Sequence, residues 1–231
     1  MERKNNPQGL LICRNLVKEY RNGERVNQVI KPTNIIIKKG TRNLIRGKSG
    51  SGKTTLLSMM AGIEPPTSGK VYFKKIDYFG LSDKKQARIR GVNYGFVFQS
   101  FHLLPELTVQ DNIKVPSYIN GGTIDIGFYE KIVGLLGLKD KLKSYSSELS
   151  GGEQQRTAIA RAMVMKPSIL FADEPTGNLD RGNSLRIMDM LDEMNDRFGV
   201  TIVMVTHDPQ LMDEPDCEFH ICDGVVTCME E

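Results

Sequence analysis

Residues 47–54 read Gly-Lys-Ser-Gly-Ser-Gly-Lys-Thr, the types and spacing of a loop that can wrap an anion. Gly47, Gly50 and Gly52, with Lys48, Ser49 and Ser51 between them, let successive backbone N–H groups turn inward around phosphate oxygens. A helix starting directly after the loop points its positive end at the same anion. Lys53 can then reach β- and γ-phosphates, and the Thr54 hydroxyl can ligate Mg²⁺. The pattern G-x-x-x-x-G-K-[ST] implies nucleotide binding, but kinases, GTPases and ATPases all share it.

A second group supplies carboxylates. Ser168–Ala172 is an apolar run that delivers Asp173 and Glu174 at its C-terminal end, the sheet edge where ligands sit in open α/β folds. Asp173 can hold Mg²⁺, directly or through water, and Glu174 can polarise a water for in-line attack on a γ-phosphate. His207 follows another apolar run, residues 200–206, and can donate to a γ-phosphate oxygen and orient that water. His102 and His220 lack such a setting and read as structural.

The third group is the octet Leu149-Ser150-Gly151-Gly152-Glu153-Gln154-Gln155-Arg156. Ser150 and Glu153 form an S-x-x-E capping box at a helix start, and the two glycines expose backbone N–H groups. This is a second anion site. One chain with one phosphate loop has no evident use for it, whereas two chains facing head-to-tail could each cap the nucleotide held by the other.

These groups need elements to position them. Residues 10–45 read as short strands, one apolar run being broken by Pro32 and closed by Gly40, and residues 54–63 as a helix. Residues 71–80 and 91–99 look like strands, and residues 102–150 are mostly helical with a turn at Gly121-Gly122. The helix over 153–165 carries an apolar face of Ala158, Ile159, Ala162 and Met163. The helix over 185–198 carries Leu185, Met188, Leu191, Met194 and Phe198 and is capped by Gly199. Residues 218–229 read as a hairpin on Asp223-Gly224. Apolar strands alternating with helices imply a parallel sheet covered on both faces.

Composition sets the outer bounds. A chain of 231 residues with 26% charged and 39% hydrophobic residues is an ordinary globular composition, which excludes collagen-like, coiled-coil and wholly disordered readings. The net charge of +3 does not demand a nucleic-acid partner, although residues 1–60 hold 13 Lys/Arg against 3 Asp/Glu and could face phosphate or lipid headgroups. No apolar stretch approaches the roughly 18 residues of a membrane span, and the N-terminus lacks the apolar region of a secretory signal. Cys13, Cys217, Cys222 and Cys228 do not form a disulfide framework, and the last three with His220 lack the C-x-x-C pair of a zinc site, so a reducing cytoplasm is expected.

The octet resembles the signature of ATP-binding cassette (ABC) ATPases, and the motifs over residues 10–228 follow in that family's order. The resemblance implies an α/β fold: a P-loop NTPase (RecA-like) core, an N-terminal antiparallel β subdomain and an inserted helical subdomain. It further implies a single ABC ATPase domain over 1–231. Residues of about 10–98 and 156–231 would form the core with its β subdomain, and about 99–155 the helical subdomain with the signature. In the family's pattern Tyr20 lies against adenine, and Gly47 to Thr55 hold the phosphates. Gln99 contacts Mg²⁺ and water and senses the γ-phosphate. Ser150, Gly151, Gly152, Glu153 and Asp180 reach ATP across the dimer, Asp180 from the stretch Asn178-Leu179-Asp180. Thr206-His207-Asp208 matches the stretch carrying the catalytic histidine. Thr54, Gln99 and Asp173 would hold Mg²⁺ with ATP.

The implied protein is an active ATPase that forms a homodimer around two ATP. It would drive separate transmembrane permease subunits docking near residues 99–150, with His102, Leu103 and Leu104 as candidates, from the cytoplasmic face of the membrane. Residues 95–113 and 172–180 further resemble the lipoprotein-release, macrolide-export and antimicrobial-peptide-resistance branch. Lys48 stands where that branch usually has proline, and Arg46 makes the loop more basic. Alternatives are an ABC importer ATPase and soluble ABC ATPases acting on nucleic acid or ribosomes. The short gap from Gln99 to Ser150, and the single phosphate loop and signature, weigh against the soluble kinds, so no nucleic acid is expected.

Overall fold

The computed structural model describes residues 9–23, 25–207, 212 and 214–229. Four strands make an antiparallel sheet in the order β2-β1-β4-β5: β1 Leu11–Asn22, β2 Arg25–Ile37, β4 Ser68–Phe73 and β5 Ile76–Asp77. Six strands make a second sheet in the order β10-β9-β3-β8-β7-β6: β3 Arg42–Gly47, β6 Tyr94–Phe98, β7 Ile169–Asp173, β8 Thr201–Val205, β9 Cys217–Cys222 and β10 Val225–Met229. All its pairings are parallel except the β9–β10 hairpin, which turns on Asp223 and Gly224, both at positive φ. The helices are α1 Lys53–Met60, α2 Asp83–Asn93, α3 Val109–Asn120, α4 Ile126–Leu135, α5 Gly151–Met163 and α6 Arg181–Phe198.

The parallel sheet separates two apolar cores, and the alternation of side chains along each strand feeds both. Leu170, Ala172, Ile202 and Met204 face the core built with α3 to α6. Ile169, Phe171, Val203 and Val205 face the core shared with α1 and the antiparallel sheet. Buried on both faces, β7 and β8 carry uninterrupted apolar runs, and their C-terminal ends emerge together at one sheet edge.

Several local expectations need correction. β2 is not broken at Pro32: it is the edge strand of its sheet, where a missing N–H costs little, and the register with β1 shifts across that region. Residues 71–80 form a hairpin instead of one strand, turning on Lys74 and Lys75 at φ 48 and 69. Gly91, Val92 and Asn93 belong to α2, a helix with no fully buried residue and hence no apolar stripe to announce it. On α5 the buried position is Ala160, while Ala162 is only partly covered. On α6 Leu185 is exposed and Ile187 takes the core position.

Candidate functional site

β3 runs into the loop at Gly47, and α1 leaves it at Lys53, so residues 47–54 bridge a strand end and a helix start. Gly50 and Gly52 adopt φ of 77° and 101°, which only glycine takes without strain. A Cβ on Gly47 would stand 2.4 Å from the Ile221 carbonyl oxygen of β9, so that position is pressed against the neighbouring strand. The buried Lys53 turns its Nζ back over the loop, donating to the carbonyls of Gly47 at 2.9 Å and Lys48 at 3.0 Å. Ser51 Oγ is buried with no hydrogen-bond partner among the described residues.

Thr54 opens α1 with its hydroxyl donating to Asp173 Oδ1 at 3.1 Å. This pair of hard oxygen ligands joins the phosphate loop to the end of β7, and its chemistry fits Mg²⁺. Burial is the main influence on Asp173 and raises its carboxyl, with the neighbouring Glu174 charge adding to it. Glu174 has φ 48, an unusual backbone for a non-glycine residue, and its N–H donates to Val205 of β8 at 2.9 Å. Its Oε2 lies 2.7 Å from His207 Nδ1 and accepts from the His207 N–H at 3.3 Å. The ends of β7 and β8 thus bring Asp173, Glu174 and His207 to one place. Asp208 lies outside the described residues.

Gln99, just past β6, pairs with Asn178: its Nε2 donates to Asn178 Oδ1 at 3.2 Å, and Asn178 Nδ2 donates to the Gln99 carbonyl at 3.0 Å. Phe101 and His102 follow with φ of 22° and 50°, their carbonyls held by the Arg161 guanidinium on α5. The buried Gln155 of α5 donates to the carbonyls of Pro175 and Phe98. α5 therefore touches the loops that follow both β6 and Glu174. Arg161 has no short-range sequence signal, since its partners lie about 60 residues away.

Ser150 and Glu153 close the capping box at the start of α5: Glu153 Oε2 accepts from the Ser150 N–H at 2.8 Å and from its hydroxyl at 2.9 Å. These bonds, with Lys141 Nζ 3.1 Å from Oε1, hold the Glu153 carboxyl down at about 2. None of the described hydrogen bonds of Ser150 or Glu153 reaches the phosphate loop of the same chain. Gly151 and Gly152 instead pack against Leu179 and Asn183. Asp180 caps α6 by accepting from the Asn183 N–H at 2.9 Å.

Tyr20 stands 43% exposed on β1, and its hydroxyl donates to Glu64 Oε1 at 2.6 Å; Thr55, the next residue of α1 after Thr54, is a neighbour of that phenol. Sequence reading did not find Glu64. His102 and Leu104 are exposed, while Leu103 packs against the helical core. His220 is exposed on β9, and Cys217 Sγ lies 3.5 Å from Cys228 Sγ across the hairpin.

The glycine-rich loop 47–54, the acidic end of β7 and the Glu174–His207 pair lie together at one edge of the parallel sheet. The family model for ABC transporters matches residues 30–177. The chain belongs to the ABC transporter family. Among curated relatives, the lipoprotein-releasing system ATP-binding protein LolD of Shewanella frigidimarina is 39% identical over 221 residues, 95% of this chain and 92% of its own. Among solved structures, the dimeric bacterial ABC transporter cassette MJ0796 superposes with a TM-score of 0.83 at 35% identity, covering 93% of this chain and 95% of its own. The same cassette in a dimeric post-hydrolysis state bound to ADP and Pi gives a TM-score of 0.82 at 35% identity over the same shares. This ABC protein is an ATPase with the α/β cassette fold, including the antiparallel β subdomain. No helix among its described residues is long and apolar enough to cross a membrane.

Proposed function

We propose that two copies of this ABC ATPase sandwich two ATP molecules and that hydrolysis releases the dimer. Each ATP is held by residues 47–55 and Tyr20 of one copy and capped by Ser150, Gly151, Gly152, Glu153 and Asp180 of the other. Glu174 takes the proton of the attacking water as general base, and His207 orients that carboxylate and the γ-phosphate. Thr54, Gln99 and Asp173 would hold Mg²⁺, which would supply neutralisation of phosphate charge. The observation that carries this reading is the Glu174–His207 contact at 2.7 Å, on the strand end whose Asp173 already meets Thr54 of the phosphate-loop helix. Similarity to the cassette MJ0796, whose solved structures are dimeric, supports a second copy completing the site.

The output is mechanical work on separate membrane permease subunits from the cytoplasmic face. They dock near residues 99–150, where His102 and Leu104 are exposed beside the Gln99 loop. This surface lies on the helical segment, about 99–155, which is inserted in sequence between the core segments 10–98 and 156–231 and shares an apolar core with the parallel sheet. Similarity to LolD over nearly the whole chain supports release or export of a lipoprotein, peptide or drug-like substrate, with lipoprotein first. The test is affinity capture of the Glu174→Gln variant from native membranes with ATP and Mg²⁺, followed by identification of what co-purifies. A multi-span membrane protein is expected. Recovery of soluble partners, DNA or ribosomes alone would keep the ATPase chemistry and overturn the transport reading.

A further inference from the structure

Tyr20 belongs to the antiparallel sheet, whereas the phosphate loop belongs to the parallel one. The core that both sheets share with α1 sets their separation, and one carboxylate adds a direct tie from the α1 side to the Tyr20 ring. Glu64 Oε1 accepts from the Tyr20 hydroxyl at 2.6 Å and pairs with Lys18 Nζ at 2.8 Å. Lys18 also donates to the Pro65 carbonyl at 2.8 Å and sits 5.1 Å from the Tyr20 ring centroid. Glu64 itself is tied to the phosphate-loop helix: the N–H groups of Ile63 and Glu64 donate to the Ser58 carbonyl at 2.9 and 3.2 Å.

The ring of Tyr20 is therefore held at its tip by the C-terminal extension of α1, the helix whose N-terminus carries residues 47–54. Burial alone would raise the Glu64 carboxyl, but the bonds from Lys18 and Tyr20 outweigh it and hold Glu64 below the ordinary range. The acceptor is then a carboxylate, and charge-assisted bonds of this kind are the stronger sort. A half-exposed tyrosine without such a tether would spread over several rotamers and would have to be ordered again by each base it stacks on.

We propose that Glu64, seated by Lys18, is a positioning residue for the nucleotide base. It fixes the plane of Tyr20 relative to the phosphate loop, so it contributes to binding of a base-bearing triphosphate and not of a bare one. The inference rests on the reading of Tyr20 as the adenine platform.

The test compares binding of ATP and of inorganic triphosphate, each with Mg²⁺, to the full chain by calorimetry. Glu64→Ala and Tyr20→Phe should each weaken ATP about three- to tenfold while leaving triphosphate unchanged, less than a charged hydrogen bond to the ligand itself would give, because only the ordering of the ring passes on to ATP. Glu64→Gln keeps an acceptor and should retain most of the ATP affinity. Lys18→Met should shift the ATP-to-triphosphate ratio in the same direction by an independent route. ATP binding unchanged in Glu64→Ala, or ATP and triphosphate weakened equally, would overturn the proposal. Tyr20→Ala separates the two readings. If it weakens ATP while Tyr20→Phe and Glu64→Ala do not, positioning by Glu64 is wrong and the platform stands. If it leaves ATP unchanged, the platform itself is wrong.

Discussion

The imidazole Nδ1 of His207 lies 2.7 Å from Oε2 of Glu174, and the His207 backbone N–H donates to the same oxygen at 3.3 Å. Two nitrogens of His207, just past β8, thus grip one carboxylate oxygen of Glu174, just past β7, while the Glu174 backbone is held at φ 48. The carboxylate is aimed before substrate arrives, which is the condition for efficient proton transfer from a bound water. Glu174→Gln should lower turnover by about 10² to 10³-fold, within the usual contribution of a general base. ATP affinity should be kept, and an ATP-bound dimer should accumulate on size-exclusion chromatography. Hydrolysis at the parent rate would remove Glu174 from the role of base.

Lys53 spends its ammonium on the carbonyls of Gly47 and Lys48, which places it over the mouth of the loop. An anion entering there meets a cation already held in place. Lys53→Ala should weaken ATP binding by at least about tenfold, the scale of losing one charged contact to phosphate. Equilibrium binding with the fold checked by circular dichroism decides it, and unchanged affinity would count against the cradle.

Gly47 has no room for a side chain. An added Cβ would meet the Ile221 carbonyl oxygen at 2.4 Å and the Ile221 Cγ2 at 2.6 Å. The obstacle is backbone of a sheet strand and cannot swing away. Gly47→Ala should destabilise the fold by about 1–3 kcal/mol, the usual cost of overpacking, and lower the melting temperature by several degrees. A melting temperature equal to the parent's would show that β3 and β9 separate at that point more easily than their register implies.

Glu153 is held ionised by the Ser150 N–H and hydroxyl, with Lys141 alongside, at a value of about 2. A carboxyl lowered in the folded state contributes stability above its unfolded value and loses it as pH falls through the folded one. The capping box should therefore be fully effective at neutral pH and weaken as pH drops from 4.5 toward about 2. Denaturant unfolding at a series of pH values should show the parent's advantage over Glu153→Gln shrinking across that window. A constant difference would mean the carboxylate plays no part in the cap.

What could be read before folding was whatever is encoded within a few residues. The loop 47–54, the capping box Ser150–Glu153 and the Asp223-Gly224 turn each depend on neighbours in sequence, because backbone turns and helix caps are local. The burial of β7 and β8 on both faces was legible for the same reason: a run of apolar residues bounded by polar ends has few other uses. From these, with the order of the motifs, the α/β cassette fold followed.

Tertiary structure decided the rest. α2 escaped notice because a polar helix carries no apolar period, and β2 passes Pro32 because only the assembled sheet makes it an edge. Ile187 is buried and Leu185 is not because the covered face of α6 runs through Ser184, Ile187, Met188, Leu191, Met194 and Asn195, two polar residues included, so apolar type alone does not mark it. Most of the chemistry lies in pairs far apart in the chain: Glu174 with His207, Thr54 with Asp173, Tyr20 with Glu64, and Arg161 with the carbonyls of Phe101 and His102. Sequence determined which groups were present and which local turns would carry them. Only the stacking of two sheets and their helices decided which groups meet, since a distance between residues tens of positions apart is set by layer packing and by no local propensity.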